Sequence, residues 1–379
     1  MTSWPEARRT AWAAGAPLAA QELPLGDAVG CVLASALVAL DAVPAADTAA
    51  MDGWAVCGRG PWRVVGRVLA GDAGLPALRP GEAVEVATGA SVPAGSEGVL
   101  AYEDATAREP LTGPAPGGRH VRRVGEECAA GELLLPAGAL LTAAGAGLAA
   151  ALGHDRLWVH PRPRVVALVT GSELLTTGRP RPGQVRDAVG PMLAHAVDAA
   201  GGRLAGTTHL RDDRAALLAA LTRAEAEVVL TSGASSVGPA DHLTSVLCEL
   251  GAQVLVRGVA VRPGHPQLLA RLPGGRLLVG LPGNPLAALS GLVTLVGPLL
   301  AGLSGRPLPT LGRGVLDASL EAADVHRLVP VRLTDGTAYP TGHAGAAMLR
   351  GAALAQAFAV VEPGRPVLSG DELELVTLP

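Results

Sequence analysis

The sequence predicts a multidomain α/β plus β protein in which one doubly wound α/β domain is flanked by β-rich modules. Residues 162–304 alternate between short apolar runs, typical of buried parallel strands, and helical patterns that end at glycine. Residues 22–160 and 306–379 are instead rich in short valine runs, proline and glycine, which indicates strands and turns. The length of 379 residues suits about two to four domains and a large core.

The predicted α/β domain begins with a short apolar strand, Arg164–Thr170, that ends at Gly171. A helix over Pro191–Ala200 then stops at Gly201-Gly202, because glycine readily adopts the backbone conformation that ends helices. Ligands of such a domain are expected beyond the carboxyl ends of its strands. The other predicted strands are Arg203–Leu210, Glu227–Thr231, Val254–Val261, Gln267–Leu272 and Arg276–Leu281, and the other helices run from Asp212 or Asp213 through Glu225, over Asp241–Leu250 and from Pro285 onward.

The flanking regions contain few helical patterns. One helix is predicted near Ala346–Ala357, and Glu372–Leu378 is predicted to be a closing strand. At the N-terminus, Arg8-Arg9 precede a short apolar stretch that suits either a twin-arginine export signal or an amphipathic first helix. Because Gly15 and Pro17 interrupt the apolar stretch, we favour the helix.

Composition argues against several classes of partner. The formal net charge is −4 and the arginines are scattered, so a basic face that binds nucleic acid is not expected. The four cysteines are widely spaced, which favours a reducing, cytoplasmic compartment over a disulfide framework or a metal knuckle. Leu286–Leu303 is the best candidate for a membrane span, but it follows a strand, so we expect a buried helix and no membrane partner.

Five loops concentrate glycine, proline and acidic or hydroxyl residues. The first contains Asp52-Gly53, which is either an ordinary turn or a loop that presents a functional carboxylate. The second surrounds Thr88-Gly89 after a valine-rich strand. Its backbone N–H groups suit an anion as well as they suit a tight inter-strand loop.

Two further loops follow the first and third strands of the α/β domain. Glu173 follows the first strand, where its carboxylate either holds Mg²⁺ or complements a helix dipole. The loop from Ser232 to Asp241 consists mainly of small residues, which let the backbone approach a phosphate closely. Asp241 is an N-cap by default, and it is a metal ligand if Glu173 lies nearby.

The fifth candidate combines two segments. Arg262 and His265 lie in Val261-Arg262-Pro263-Gly264-His265-Pro266 and are candidates to neutralise an oxyanion. Asn284, the only asparagine in the sequence, lies in Gly280-Leu281-Pro282-Gly283-Asn284-Pro285 at a strand-to-helix junction. We predict that Asn284 caps the helix that begins at Pro285.

In order and spacing, seven motifs resemble the molybdopterin molybdenumtransferase family of the MoeA/gephyrin type. The resemblance spans nearly the whole chain, and the combination of motifs is far more specific than any one of them. The motifs are Met51-Asp52-Gly53-Trp54-Ala55-Val56, Thr88-Gly89-Ala90, Arg122-Arg123 with Gly125-Glu126-Glu127, Thr170-Gly171-Ser172-Glu173-Leu174, Ser232-Gly233 to Asp241, Arg262-Pro263-Gly264-His265-Pro266, and Gly280 to Pro285.

The resemblance implies a homodimer whose subunits each have four parts. Its active site would lie between the α/β domain of one subunit and the middle domain of the other, with Asp52 and Thr88 opposite Glu173 and Asp241. By resemblance, residues 22–38 and 126–161 form a β-rich linker domain, 39–125 the middle domain, 1–21 and 162–304 the α/β molybdopterin-binding domain, and 305–379 a C-terminal β-barrel domain.

The activity that the resemblance implies is insertion of molybdate into adenylylated molybdopterin, with Mg²⁺ and with release of AMP. Molybdopterin adenylyltransferase would be the upstream partner. The predicted catalytic residues are Asp52, Thr88, Glu173 and Asp241, the predicted metal ligands are Glu173 and Asp241, and the predicted cofactor-binding residues are Ser232, Gly233, Ser236, Gly238, Arg262, His265, Pro282, Gly283, Asn284 and Pro285.

The sequence departs from the family's pattern around the predicted anion site. Ser172 replaces an Asp, Val189 replaces an Asn, and His265 and Thr244 replace lysines. The sequence contains no lysine, and this bias in composition explains Arg262 in place of a lysine, but it does not explain His265 or Thr244. The lost positive charge leaves an alternative open, a catalytically impaired paralogue that binds molybdopterin as a carrier or scaffold. A further alternative is nucleotide-pyrophosphate chemistry on the same type of α/β domain.

Overall fold

The computed structural model describes residues 1–72, 77–233 and 242–379. The chain divides into two compact units. The larger unit contains Met1–Gln21, Gly30–Val32 and Val159–Pro379, and the smaller unit contains Glu22–Val29 and Leu33–Trp158. Three short strands lie at or across the points where the chain passes from one unit to the other, Gln21–Pro24, Val32–Leu33 and Arg156–His160. The finer division into four domains stays a prediction.

A six-stranded sheet forms the centre of the larger unit. Four strands are parallel and two further strands join one edge in antiparallel pairing. In spatial order the strands are Arg203–Leu210, Arg164–Thr170, Val228–Ser232, Leu277–Leu281, Leu268–Arg271 and Gln253–Arg257. Two-residue strands Leu174–Leu175 and Val185–Arg186 pair beside this sheet.

Helices cover both faces of this sheet, which confirms the doubly wound architecture. On one face, Val165, Ala167 and Val169 pack with Leu193 in a single core. On the other face, the alternate residue Leu168 packs with buried leucines of two helices. Successive strand residues point to opposite faces, so a run of apolar residues serves both layers. The helices of the two layers are Gly190–Ala199, Arg214–Arg223, Leu243–Glu249, Pro285–Gly291 and Gly297–Leu303.

The apolar stretch near residue 290 is the core helix that the sequence predicts. Within the described residues, Pro285–Leu303 is the one helix that is long and apolar enough to cross a membrane, and 94% of its tested window is buried inside the protein. Its middle, Leu292–Val296, is π-helical, with Gly297 N–H donating to Leu292 C=O. Pro298 has no N–H to donate to the carbonyl four residues earlier, which accounts for the wider turn before it.

The last 68 residues form a closed five-stranded β-barrel. Strand His326–Thr334 pairs with both Thr337–Pro340 and Ala357–Val361, and this double pairing closes the ring. Gly312–Leu316 and Glu372–Thr377 complete the barrel, whose interior holds Val331 and Val361 among other apolar side chains. The sheet continues outward from His326–Thr334 through Val259–Arg262 to Thr2–Ser3.

The first helix, Trp4–Ala14, is amphipathic and belongs to the larger unit. Trp4, Ala7 and Ala11 are buried on one side of it, and Trp4 Nε1 donates to Thr294 Oγ1 at 3.0 Å. The spacing of these residues places them on one helical face. The prediction of a helix at this position is therefore confirmed.

The smaller unit is rich in short strands. Its main sheet has four strands, in the order Arg63–Val68, Glu82–Val86, Gly53–Val56 and Gly98–Ala101. Thr142 Oγ1 caps the helix Ala143–Ala151 by accepting from Gly145 N–H at 3.1 Å. The helices are Leu25–Ala28 and Ala143–Ala151, and the other strands are Leu37–Val38, Thr48–Ala49, Ala107–Arg108, Leu111–Thr112, Val121–Arg122 and Leu133–Leu135.

Two predicted elements are wrong. The predicted strand Val254–Val261 is two strands, Gln253–Arg257 and Val259–Arg262, which belong to different sheets. Gly258, with φ of +72°, turns the chain between them.

The helix predicted near Ala346–Ala357 is also absent, and only a 3₁₀ turn, Ala352–Leu354, forms there. The Ala346 carbonyl accepts hydrogen bonds from Leu286 and Ala287 N–H instead of one from its own segment. Gly345 and Gly351 weaken the helical tendency of the segment further.

Candidate functional site

The predicted ligand edge of the α/β sheet lies where the strand order reverses. From Arg164–Thr170 the chain passes first to the neighbouring strand Arg203–Leu210 and then crosses to Val228–Ser232 on the other side. A crevice beyond the carboxyl ends of the strands at such a reversal is the usual ligand site of this architecture. The loops that begin at Gly171 and Gly233 both start there.

These loops approach each other closely through glycine. Thr170 Oγ1 donates to the Ser232 carbonyl at 2.8 Å, and Gly233 N–H donates to the Leu281 carbonyl at 3.4 Å. A Cβ atom on Gly283 would lie 3.3 Å from the Gly233 Cα. The loops after three neighbouring strands are therefore joined by backbone contacts. The structure brings Ser232, Gly233 and Gly283 together, as the sequence predicts.

Glu173 lies on the first of these loops and is exposed. Its carboxylate accepts no hydrogen bond from the residues that the structure describes, although its own carbonyl accepts from Val185 N–H at 2.9 Å. The neighbouring Ser172 forms a reciprocal pair with Asp212: Ser172 N–H donates to Asp212 Oδ2 at 2.9 Å, and Asp212 N–H donates to Ser172 Oγ at 3.1 Å. This pair fixes the loop, and none of the described residues occupies the Glu173 carboxylate.

The structure also settles which aspartate caps the following helix. Asp213 is the N-cap of Arg214–Arg223, and its Oδ1 accepts from Ala216 N–H at 2.8 Å. Asp212, the other residue that the sequence offered as a cap, is the partner of Ser172 instead. Sequence reasoning therefore missed Asp212 as part of the candidate site.

Asn284 occupies the N-cap position of helix Pro285–Gly291, but its side chain makes no capping hydrogen bond, so the prediction of a side-chain cap is wrong. Pro285 has no N–H, and the next two N–H groups, of Leu286 and Ala287, both donate to the Ala346 carbonyl at 3.0 and 3.2 Å. A loop of the barrel therefore performs the capping. The Asn284 amide is exposed and forms no hydrogen bond with the parts of the chain that the structure describes.

Arg262 and His265 line a pocket close to the Asn284 junction. This cavity of about 320 Å³ is lined by Arg262, Pro263, Gly264, His265, Arg327, Leu328, Val329, Ala344 and Ala346. A Cβ atom on Gly264 would lie 2.8 Å from the Ala287 carbonyl oxygen, so the loop packs against the first turn of the helix that follows Asn284. The pocket and the Asn284 junction therefore share one helix start.

Arg327 is the residue of this pocket that sequence reasoning missed. Val259–Arg262 and His326–Thr334 are parallel neighbours, and Arg262 is the register partner of Arg327. Register partners on parallel strands point to the same face of a sheet, so two guanidinium groups line one cavity. No motif surrounds Arg327, so its sequence context gives no signal, and its place in the pocket follows from the strand pairing.

A buried amide lies beneath the same loop. Gln267 is 1% exposed, its Nε2 lies 3.5 Å from Ser290 Oγ, and its Oε1 has no hydrogen-bond partner among the described residues. Gln267 N–H donates to the His265 carbonyl at 2.8 Å, and the Gln267 carbonyl accepts from Gly258 N–H at 2.8 Å. These backbone bonds hold both ends of the segment that carries Arg262 and His265.

Asp52 and Thr88 come together in the smaller unit. Their loops adjoin Gly53–Val56 and Glu82–Val86, which pair in the sheet with Gly53 opposite Val86. Thr88 donates to Asp52 Oδ1 twice, from its N–H at 2.7 Å and from its Oγ1 at 3.1 Å. Both residues are exposed, and Asp52 Oδ2 accepts no hydrogen bond from the described residues. The arrangement presents one fixed carboxylate to solvent.

Three predicted residues, Ser236, Gly238 and Asp241, lie outside the residues that the structure describes. Within residues 1–72, 77–233 and 242–379, no group of three or more His, Cys, Asp and Glu side chains could hold a metal ion. The predicted pairing of Glu173 with Asp241 therefore stays a prediction. Thr244, in the following helix Leu243–Glu249, lies in the first turn and is exposed.

Three family models match successive parts of the chain. The MoeA N-terminal region (domain I and II) matches residues 2–153. A probable molybdopterin binding domain matches residues 166–302. The MoeA C-terminal region (domain IV) matches residues 314–378.

Curated relatives and solved structures agree with these matches. The chain is 36% identical over 311 residues to molybdopterin molybdenumtransferase 2 of Mycobacterium tuberculosis, covering 76% of each chain. It is 34% identical over 304 residues to molybdopterin molybdenumtransferase of Synechococcus elongatus, covering 75% of each. The crystal structure of the molybdopterin biosynthesis MoeA protein from Pyrococcus horikosii aligns over 100% of this chain and 99% of its own, with a TM-score of 0.77 and 28% identity.

Proposed function

The chain belongs to the MoeA family of molybdopterin molybdenumtransferases, and on that premise we propose that it inserts molybdate into adenylylated molybdopterin and releases AMP. It is a transferase of molybdenum cofactor biosynthesis. The observation that carries the proposal is the pocket that Arg262, His265 and Arg327 line beside the helix start at Pro285. The pocket suits an oxyanion, and the neighbouring glycine loops suit a phosphorylated pterin.

The residues of the pocket suit molybdate for reasons of charge. Molybdate is a doubly charged oxyanion, and two guanidinium groups offer several N–H donors in fixed planes. Arg262 and Arg327 together bring two positive charges to the pocket, although His265 stands where the family usually has a lysine. The hypothesis of an impaired paralogue rested on the positive charge lost at His265 and Thr244, and no observation favours it.

The loops at the strand ends would hold the other substrate. Gly233 and Gly283 have no side chains, so a pyrophosphate could approach the backbone closely at the sheet edge, and the Asn284 amide would help to bind and orient the pterin. In the proposed homodimer, Asp52 and Thr88 would present a fixed carboxylate to the substrate that the other subunit binds. No covalent enzyme intermediate is required, because the protein's task is to orient two anions against each other.

Glu173 suits Mg²⁺ in its chemistry. Carboxylate oxygen is the ligand type that this ion prefers. The Glu173 carboxylate is exposed and has no hydrogen-bond partner among the described residues. Glu173 and Asp241 would hold the ion. When bound, Mg²⁺ would supply a Lewis acid that polarises the phosphoryl group.

The remaining parts of the proposal concern the protein's surroundings. We propose a homodimer in the cytoplasm that receives its substrate from a molybdopterin adenylyltransferase, with no nucleic-acid or membrane partner. The sedimentation coefficient of the purified protein tests the dimer, and a monomer at micromolar concentration would contradict it.

Rescue of a bacterial strain that lacks its molybdenumtransferase tests the proposed function. We expect the wild-type gene to restore the activity of a molybdenum-dependent reductase at ordinary molybdate concentrations. An Asp52→Ala gene, expressed at the same level, should fail. If neither gene restores activity although both proteins accumulate, the proposal is wrong.

A further inference from the structure

A second large cavity lies on the larger unit, away from the candidate site. It measures about 360 Å³ and shares no lining residue with the pocket of Arg262 and Arg327. Its walls come from the end of helix Gly190–Ala199, the π-helical segment Leu292–Val296 and the chain after Leu375. Most of the lining side chains are Ala, Leu, Val and Pro, so the cavity is mainly apolar.

Two arginines line this apolar cavity. Arg8 is only 4% exposed, and its guanidinium donates to two backbone carbonyls, of Pro309 at 2.6 Å and of Val293 at 3.4 Å. It also lies 5.0 Å from the centre of the Trp4 ring. Burial lowers the pKa of Arg8, whereas the negative charge of Glu374 raises it. A buried cation that has only neutral contacts is costly unless an anion joins it.

Arg306 adds a second positive charge to the same cavity. Its Nη2 donates to the Ala200 carbonyl, and its Nε is buried with no hydrogen-bond partner among the described residues. Burial lowers the pKa of Arg306, and the charge of Arg162 lowers it further. No Asp or Glu side chain lines the cavity, and neither Arg8 nor Arg306 forms an ion pair in the described parts of the chain.

We propose that this cavity binds an amphiphilic anion, a free aliphatic carboxylate whose head group lies on Arg8 and Arg306 and whose chain lies along Leu292, Val296 and Leu378. Guanidinium groups match carboxylates in geometry, and they pair with them well where water is excluded. The volume and the mainly apolar walls with a few polar groups are those of a small-molecule site. The inference does not depend on the molybdate chemistry.

Binding of octanoate to the full-length protein tests the proposal by calorimetry. We expect saturable binding with one site per chain, and no binding of octylamine, which has the same chain and the opposite charge. Arg306→Gln should weaken octanoate binding at least tenfold, which corresponds to about 1.4 kcal/mol, because it removes a charged partner. Equal binding of octanoate and octylamine would contradict the proposal, and so would no binding of octanoate.

A pair of variants on one helix keeps the test independent of arginine's role in folding. Ala199 is exposed at the rim of the cavity, whereas Ala194, also exposed, does not line it. Ala199→Trp should block octanoate binding, and Ala194→Trp should leave it unchanged. If octanoate binds the two variants equally well, the site lies elsewhere and the proposal is wrong.

Discussion

Arg262 and Arg327 are register partners on adjacent parallel strands, and both side chains line one cavity of about 320 Å³. Neighbouring strands lie about 4.8 Å apart, so the two side chains leave neighbouring points of the backbone on one face of the sheet. An anion held by both would offset the repulsion between the two guanidinium groups. One arginine belongs to the strand Val259–Arg262 and the other to the barrel strand His326–Thr334, so both segments form the pocket that we propose for the oxyanion.

Loss of Arg327 should weaken binding of the oxyanion. Arg327→Gln removes a hydrogen-bonding charge, worth about 1.5–3 kcal/mol, so the Kd for molybdate should rise at least tenfold. Equilibrium dialysis measures the Kd without turnover. Arg332→Gln on the same strand is the matched control, since Arg332 is exposed and contacts Thr334 and Tyr339 instead. Equal Kd values for the two variants would show that Arg327 does not bind the anion.

Asp213 and Asn284 both occupy N-cap positions, but we expect their replacement by alanine to have different effects on stability. Asp213→Ala should lower the free energy of unfolding by about 1 kcal/mol, because Asp213 Oδ1 caps its helix. Asn284→Ala should change it by less than about 0.5 kcal/mol, because the Ala346 carbonyl already accepts from the N–H groups of Leu286 and Ala287. Urea unfolding of both variants checks this, and an equally large loss for Asn284→Ala would refute it.

Thr88 should act through the carboxylate that it holds. Thr88→Val keeps the N–H donation to Asp52 Oδ1 and removes the Oγ1 donation at 3.1 Å. Loss of one such bond, about 1 kcal/mol, should lower turnover several-fold, whereas Asp52→Ala should abolish it. Thr106→Val is the control, because Thr106 Oγ1 pairs with Thr112 Oγ1 of the same unit at 3.0 Å and not with Asp52. An equal decrease in turnover for Thr88→Val and Thr106→Val would show that Thr88 has no specific role in the site.

His326 should make stability depend on pH. Its ring lies 5.9 Å from that of Trp4, and burial lowers its pKa below the ordinary 6.5, against the opposing charges of Glu362 and Glu374. The unfolded chain therefore protonates His326 more readily than the folded protein does. The contribution of the neutral imidazole to the free energy of unfolding is fully present above pH 6.5 and is lost as pH falls through the folded-state pKa. When the pH is lowered from 8 to 5, the melting temperature should fall less for His326→Gln than for the wild type. The exposed His343→Asn should match the wild type, and parallel curves for all three proteins would contradict this role.

Local sequence patterns predicted most of the α/β domain. The strand Arg164–Thr170 has the predicted bounds, and the buried helix after Pro285 follows from its continuous apolar residues. The convergence of Gly233 and Gly283 follows from the rule that places loops at strand ends. Patterns of this kind succeed where burial and periodicity alone decide the structure.

The errors all involve contacts between distant segments. Nothing local to Asn284 indicates that the carbonyl of Ala346 will take its capping role, and nothing local to Ala346 indicates that its carbonyl is needed there. Arg327 likewise joins the pocket only because its strand pairs with Val259–Arg262. Gly258 was visible in the sequence, but its φ of +72° depends on the two sheets that it connects.

Release of AMP from adenylylated molybdopterin by the purified protein tests the central claim most directly. We predict release that requires both molybdate and Mg²⁺, that stops when a chelator removes the metal, and that needs much more molybdate in Arg327→Gln than in Arg332→Gln. A wild-type protein that binds the adenylylated pterin but releases no AMP at any molybdate concentration would contradict the claim.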